Sequence, residues 1–199
     1  MKRKLLLLLS SIVIILASCK KDDTKADTTG IQGIQGTYNL KYITVKSNGT
    51  LTALNRKTVN VADYTTTNNG GTLVIDASKL TANGLTYKVN STPTSYIYTD
   101  NTLLDSMQST FTLSYPASNF TASYKLVGTD SIYFPQGSPA SAIFSSSSMQ
   151  SGSYGGKYNL SNNVLTIIQS ALKDSSFQAS GLTYYMTSKE VATIVLEKQ

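Results

Sequence analysis

The residue types that most often carry chemistry are scarce in this chain. It has 199 residues, no histidine and one cysteine, Cys19. Without imidazole there is no Ser-His-Asp triad, no histidine base and no ordinary zinc or iron site. A lone cysteine forms no intramolecular disulfide. The acids beyond residue 60 are Asp63, Asp76, Asp100, Asp105, Asp130, Asp174, Glu190 and Glu197. They are dispersed, and no spacing favours the facing pair of carboxylates that a glycosidase needs. Each is expected at a turn or on the solvated surface. There is no Asp-x-Asp-x-Asp calcium loop, and no Gly-rich phosphate cradle leads from a strand into a helix. Ser145–Ser148 reads as loop, not nucleophile. The expectation is a non-enzyme with no catalytic residue, metal or cofactor.

Tyrosine is the one unusual resource, with thirteen against five phenylalanines and no tryptophan. Its flat apolar face and hydroxyl suit sugars, peptides and amphipathic ligands. Simple filling of strand positions is the plainer explanation. A weak internal echo singles out four of the thirteen. Tyr64–Asn69 matches Tyr158–Asn163 at Tyr, a hydroxyl residue and two Asn, and Gly84-Leu85-Thr86-Tyr87 recurs as Gly181-Leu182-Thr183-Tyr184. This suggests a duplicated strand–turn–strand unit. Tyr96, Tyr98, Tyr184 and Tyr185 fall late in its two halves and are the candidate ligand-lining residues.

These elements need an anchor and a scaffold. The chain starts Met1-Lys2-Arg3-Lys4 and continues uncharged from Leu5 to Ser18. That run is short of the roughly 20 apolar residues of a spanning helix. It fits the apolar region of a secretory signal behind a positive start. The run ends Leu16-Ala17-Ser18-Cys19, which resembles the lipobox of bacterial lipoproteins. The resemblance implies a signal peptide over residues 1–18, cleavage before Cys19, and lipid, including a fatty acyl chain such as palmitate, on that residue. Two or three acyl chains hold a protein on a membrane where one holds it only weakly. Next come Lys20-Lys21-Asp22-Asp23. A basic residue before paired acids resembles the surface-export signal of Bacteroidota lipoproteins, here Lys21, Asp22 and Asp23. It implies display on the outer face of the outer membrane; the periplasmic face is the alternative.

Removal of residues 1–18 takes three of the 17 basic residues and leaves 14 against 11 acids, a net charge of +3. With no Lys/Arg cluster outside the tether, nucleic acid is not expected as a partner. Residues 19–35 are polar or Gly-rich and read as a flexible tether reaching roughly 20–25 Å. Residues 36–199 suffice for one domain with a core.

That domain is strand-like throughout. Thr110–Tyr115 alternates cleanly, as do Tyr38, Leu40 and Tyr42 and the pair Tyr124 and Leu126. Further strands are expected at 58–61, 72–75, 85–89, 96–98, 131–134, 157–160, 164–168, 182–186 and 191–196. Turns are expected at Asn48-Gly49, Asn69-Gly70-Gly71, Asn83-Gly84, Gly155-Gly156 and Asn162-Asn163. Only 77–80 and 169–174 look briefly helical, and 136–152 reads as a long surface loop. The fold class is all-β: an antiparallel meander barrel or half-barrel in one domain. Gly36-Thr37-Tyr38-Asn39-Leu40, Tyr158-Asn159-Leu160, Val164–Ile167 and the closing Ala192–Lys198 are similar to lipocalin-like lipoproteins of the Bacteroidota. The resemblance implies a barrel with an apolar pocket. Asp105-Ser106-Met107 and Asp130-Ser131-Ile132 resemble the O-glycosylation pattern of exported proteins in the same group, which makes Ser106 and Ser131 candidate acceptors.

Two functions follow as expectations. The first is a surface module that binds a small amphipathic, glycan or peptide ligand without catalysis. The second is a structural or assembly lipoprotein of an outer-membrane complex, with a hydrolase a more distant third. A hollow interior favours the first; a filled core with a broad Tyr-bearing face favours the second.

Overall fold

A computed structural model describes residues 33–137, Pro139 and residues 154–199. The expected signal peptide over 1–18, Cys19, Lys21-Asp22-Asp23 and most of the expected loop 136–152 lie outside the described residues.

One long strand organises the rest. β1 (Gly36–Ala53) pairs along one edge with β12 (Leu182–Lys198) over nearly its whole length. Its other edge has two successive partners. Residues 36–39 pair with β3 (Thr67–Ile75), and residues 44–53 pair with β2 (Arg56–Thr65). The sheet therefore forks at the middle of β1. Thr66, the single residue between β2 and β3, sits buried in the fork. It bonds Ile43 twice: its N–H donates to the Ile43 carbonyl at 2.8 Å, and its Oγ1 accepts the Ile43 N–H at 2.9 Å. Asn69 Nδ2 donates to the Lys41 carbonyl at 2.7 Å, beside the register shift between Leu40 and Tyr42.

One branch continues from β3 to β4 (Lys79–Ser91) and β7 (Phe111–Ser123); the other runs from β2 to β5 (Thr94–Thr99) and β6 (Thr102–Gln108). The two branches share one bent hairpin. β4 leads into β5 and β6 leads into β7, and the bend falls at Pro93, which has no N–H for a ladder. There Ser109 N–H donates to the Pro93 carbonyl at 3.2 Å, and the Thr92 and Thr110 hydroxyls meet at 2.9 Å. Beyond β12 the sheet runs through β11 (Val164–Ala179), β10 (Tyr154–Ser161), β9 (Ser131–Phe134) and β8 (Lys125–Val127). All pairings are antiparallel. The hydrogen-bonded sheet does not close, although only Tyr124 separates β7 from β8 in the chain. Tyr124 N–H donates to the Ser78 carbonyl at 2.8 Å and its hydroxyl to the Asp76 carbonyl at 2.6 Å.

The expected all-β class is observed, with corrections in detail. Gly and Asn pairs do not mark most of the turns. Asn48-Gly49, Asn69-Gly70-Gly71 and Gly155-Gly156 lie inside β1, β3 and β10. Asn83-Gly84 makes a register shift in β4, where Gly84 has φ +60°. Of the expected turns only Asn162-Asn163 joins two strands; the other tight connections are Leu54-Asn55, Asp100-Asn101 and Ser180-Gly181. Both residues of Asp100-Asn101, Asn162-Asn163 and Ser180-Gly181 have positive φ, which matches the right-handed twist of the strands they join. Residues 169–174 are strand, not helix, because long-range pairing with 187–192 overrides their local preference. Residues 77–78 form a bend, and β4 starts at Lys79. The strands expected at 182–186 and 191–196 are one strand, β12. The echo is not a structural repeat: Gly84-Leu85-Thr86-Tyr87 lies inside β4, whereas Gly181-Leu182-Thr183-Tyr184 runs from a turn into the start of β12.

Alternate residues of β1, β3, β4, β9, β10, β11 and β12 build one core. Tyr38, Ile43, Leu73, Leu80, Phe134 and Ile167 are fully buried in it. Each such side chain contributes roughly 1.5–3 kcal/mol by leaving water. Ile34, ahead of the expected domain start, is also buried, and its carbonyl accepts the Tyr38 hydroxyl at 2.8 Å. We call this part the body. Past the fork the same sheet continues as a wing of six strand segments in the order β6–β5–β2–β1–β12–β11. No second layer covers the wing among the described residues. Every residue of β6 is exposed, and so is β11 after Ala171 apart from Ser175.

Candidate functional site

Register fixes what each wing face carries, since side chains alternate and directly paired residues share a face. Val45 of β1 points into the core, so Ser47, Gly49, Leu51 and Ala53 continue that face into the wing. Across it Leu51 pairs with Met186 and with Thr58, and Thr58 pairs with Ile97. Phe177 and Tyr184 close this face near the β11–β12 tip, stacked with ring centroids 5.0 Å apart and planes 5° apart.

The opposite face carries Tyr185, Thr52, Lys57, Tyr98 and Leu103 in one row across five strands. Tyr98 and Tyr185 are three strand spacings apart, about 14 Å. The Lys57 ammonium lies 4.8 Å from the centroid of the Tyr98 ring, a cation–π contact that holds the ring to the sheet. Tyr96 sits one row nearer the body, opposite Val59 and Ser106. Three of the four candidate tyrosines, Tyr96, Tyr98 and Tyr185, therefore share a face, and Tyr185 is 62 % exposed. Tyr184 lies on the other face. Adjacent positions in a strand cannot line one surface.

Ser106 is exposed on β6, where its N–H donates to Asp105 Oδ1 at 2.8 Å. Ser131 is half-buried and tied on both sides. Its hydroxyl donates to Asp130 Oδ1 at 2.9 Å and accepts from Lys157 Nζ at 3.0 Å. Lys157 also pairs with Asp130 Oδ2 at 2.8 Å, and these bonds, with the one from Ser131, hold the Asp130 carboxyl below its usual range. Lys157 and Ser131 line a shallow depression of about 460 Å³ on the outside of β8–β11, together with Val127, Tyr133, Ile168 and the bare backbone of Gly155-Gly156.

Where body meets wing, a polar cluster was not visible in the sequence. Glu190, expected at the surface, is only 6 % exposed. It lies opposite Ala171 and Ser47 on the core-facing side. Tyr64, Tyr87 and Tyr115 gather in the same region. Tyr87 and Tyr115 stack at 4.4 Å directly across the β4–β7 ladder. Burial raises the Tyr64 phenol, and the negative charge of Glu190 and then Tyr115 add to the shift. Tyr87 is raised by burial and by its two tyrosine neighbours. Gln169, fully buried, completes the polar end of the core. The signal that could have found Glu190 is its parity: it shares the face of Ala192 and Ile194 in a run read as two strands. Among the described residues no three of His, Cys, Asp and Glu gather as metal ligands.

No family model, no curated protein and no solved structure matches the chain.

Proposed function

We propose that this chain is a lipid-anchored, non-catalytic β-domain that works by interaction, through its wing. The carrying observation is the wing itself, a six-stranded extension that no other described residues layer over, with large apolar and aromatic side chains on each face. A sheet with no core on either side gains little from folding alone, and contiguous exposed apolar surface marks interaction sites. The fully buried core side chains of the body, Tyr38, Phe134 and Ile167 among them, support a partner-binding or assembly role over a small ligand held inside. Anchoring by lipid on Cys19, surface display through Lys21-Asp22-Asp23 and an outer-membrane address belong to this reading and rest on the sequence resemblances. So does a lipocalin-like half-barrel for the body. It is supported by the chain running on from β7 through Tyr124 into β8, which links covalently the two ends that no ladder joins.

The test has two arms. In cells, Cys19→Ala should abolish labelling by a fatty-acid analogue and release the protein from membranes; equal labelling of both forms ends the lipoprotein reading. In solution, the full chain is screened against immobilised glycans, peptides and phospholipid vesicles beside generic hydrolase substrates. Saturable binding that is lost in Tyr98→Ser/Tyr185→Ser supports the reading. Turnover that disappears in Glu190→Gln overturns it.

A further inference from the structure

We propose that the partner of the wing edge is a second copy of this chain, joined head to tail, with β6 of one copy pairing antiparallel to residues 170–179 of β11 in the next. The inference rests on the wing being the interacting part and adds what it binds. Three observations carry it.

The first is that both ends of the wing are open. Among the described residues β6 pairs only with β5, and β10 pairs with β11 no further than Gln169. Each edge leaves a row of backbone N–H and C=O groups for another strand, a template that proteins otherwise guard. The second is direction. The wing has six alternating segments, so its two outer strands run opposite ways. A copy displaced along the sheet therefore presents β6 antiparallel to β11 without turning over.

The third is charge. On the core-continuing face β6 carries Thr102, Asp105 and Met107, and the open part of β11 carries Ala171, Lys173, Ser175, Phe177 and Ala179. Each edge has one charge on this face, of opposite sign. Both residues are exposed, and neither has an ion-pair partner among the described residues. With Asp105 opposite Lys173, Met107 meets Ala171 and Ser106 meets Leu172. On the other face Asp174 then approaches only neutral residues of β6, so no like charges meet. Two-fold pairing of β6 with itself is worse. Centred on Asp105 it opposes two carboxylates; centred on Ser106 it leaves Asp105 facing Met107. A heterologous contact of this kind does not close and builds a line of copies. With strands about 4.8 Å apart, the repeat would be about 29 Å.

The test is sedimentation of the full chain in detergent over a wide concentration range, with circular dichroism confirming that each variant folds. The wild type should form a concentration-dependent series of oligomers. D105K and K173D should each weaken association at least tenfold, and their equimolar mixture should restore it, because each then supplies the charge the other lacks. A wild type that stays monomeric overturns the pairing, and so does a mixture that fails to recover. Loss of association in D105K with K173D unaffected also overturns it, by pointing to β6 pairing with itself. A monomeric wild type whose ligand binding is still lost in Tyr98→Ser/Tyr185→Ser refutes the edge pairing and leaves the wing-face reading standing.

Discussion

Thr66 and Ile43 exchange two hydrogen bonds at the point where the sheet divides, one through the Thr66 backbone and one through its hydroxyl. Without the hydroxyl, Ile43 N–H would be buried between two branches with no acceptor, since neither β2 nor β3 reaches it. Thr66→Val keeps the shape and removes that acceptor. It should cost about 1–3 kcal/mol, read as a lower denaturant midpoint, while Thr66→Ser retains the bond and loses less. An unchanged midpoint in Thr66→Val would show that the backbone bond alone holds the fork.

Asp76 organises the β3–β4 turn in the same manner. Its Oδ1 accepts the N–H groups of Ser78 and Lys79 at 2.8 and 2.7 Å, and these bonds hold the carboxyl below its usual range. A carboxyl lowered by folding contributes stability above the unfolded value, near 3.9, and loses it as pH falls through the lower folded value. Acid unfolding should therefore be less steep below about pH 4 in Asp76→Asn, which keeps an acceptor but cannot titrate. Superimposable acid limbs for the two proteins would remove Asp76 from the account.

The phenols act at the other end of the scale. Burial raises Tyr64 and Tyr87 and pushes Tyr124 up to about 12. Unfolded tyrosines ionise near pH 10. Their protonated folded forms are thus fully stabilising below pH 10, and that contribution drains away as pH rises through the folded values. Spectrophotometric titration should show a late phase that ends in alkaline unfolding. Glu190→Gln should bring the Tyr64 component to lower pH and leave Tyr124 where it is. Equal movement of both would mean that Glu190 acts through general loosening, not through its charge.

The period-two pattern made the strands readable, because burial on one face is a local property of sequence. Tyr38 and Leu40 alternate into the core as read, whereas Tyr42, past the register shift in β1, and Phe111 and Leu113 of β7 are exposed. Strand ends were harder. Asn48-Gly49 has turn chemistry, yet β12 and β2 pair on both sides of it and carry β1 straight through. Pairing over more than a hundred residues decided the matter, and no short window contains it. β6 escaped notice because Thr102–Gln108 has no alternation at all, as expected of a strand exposed on both faces. The candidate tyrosine face was half legible. Tyr96 and Tyr98, two apart, had to share a face, but Tyr184 and Tyr185, one apart, could not. Glu190 was missed because an acid is read as surface until its neighbours at 192 and 194 show that it points inward.

Body and wing share three strands, β1, β11 and β12, so their difference in stability should appear within a single strand. β12 begins in the wing, where residues 182–189 alternate between partly and fully exposed, and ends in the body, where 192, 194, 195 and 196 are buried. Its backbone pairs with β11 throughout and with β1 from Tyr185 to Lys198, so over that stretch the ladder is constant and only side-chain burial changes along it. Local opening costs less where few apolar contacts must be broken. Amide hydrogen exchange on dilute full-length protein should therefore show a gradient, with Tyr185–Thr187 exchanging well before Ala192–Leu196. β11 should behave alike, with Ser176–Ala179 ahead of Leu165–Ile167. At high concentration the β11 edge amides should slow selectively, because a paired β6 from a second copy would occupy them. Uniform protection along β12 at low concentration would mean that something covers the wing, and that its exposed faces are not the working surface.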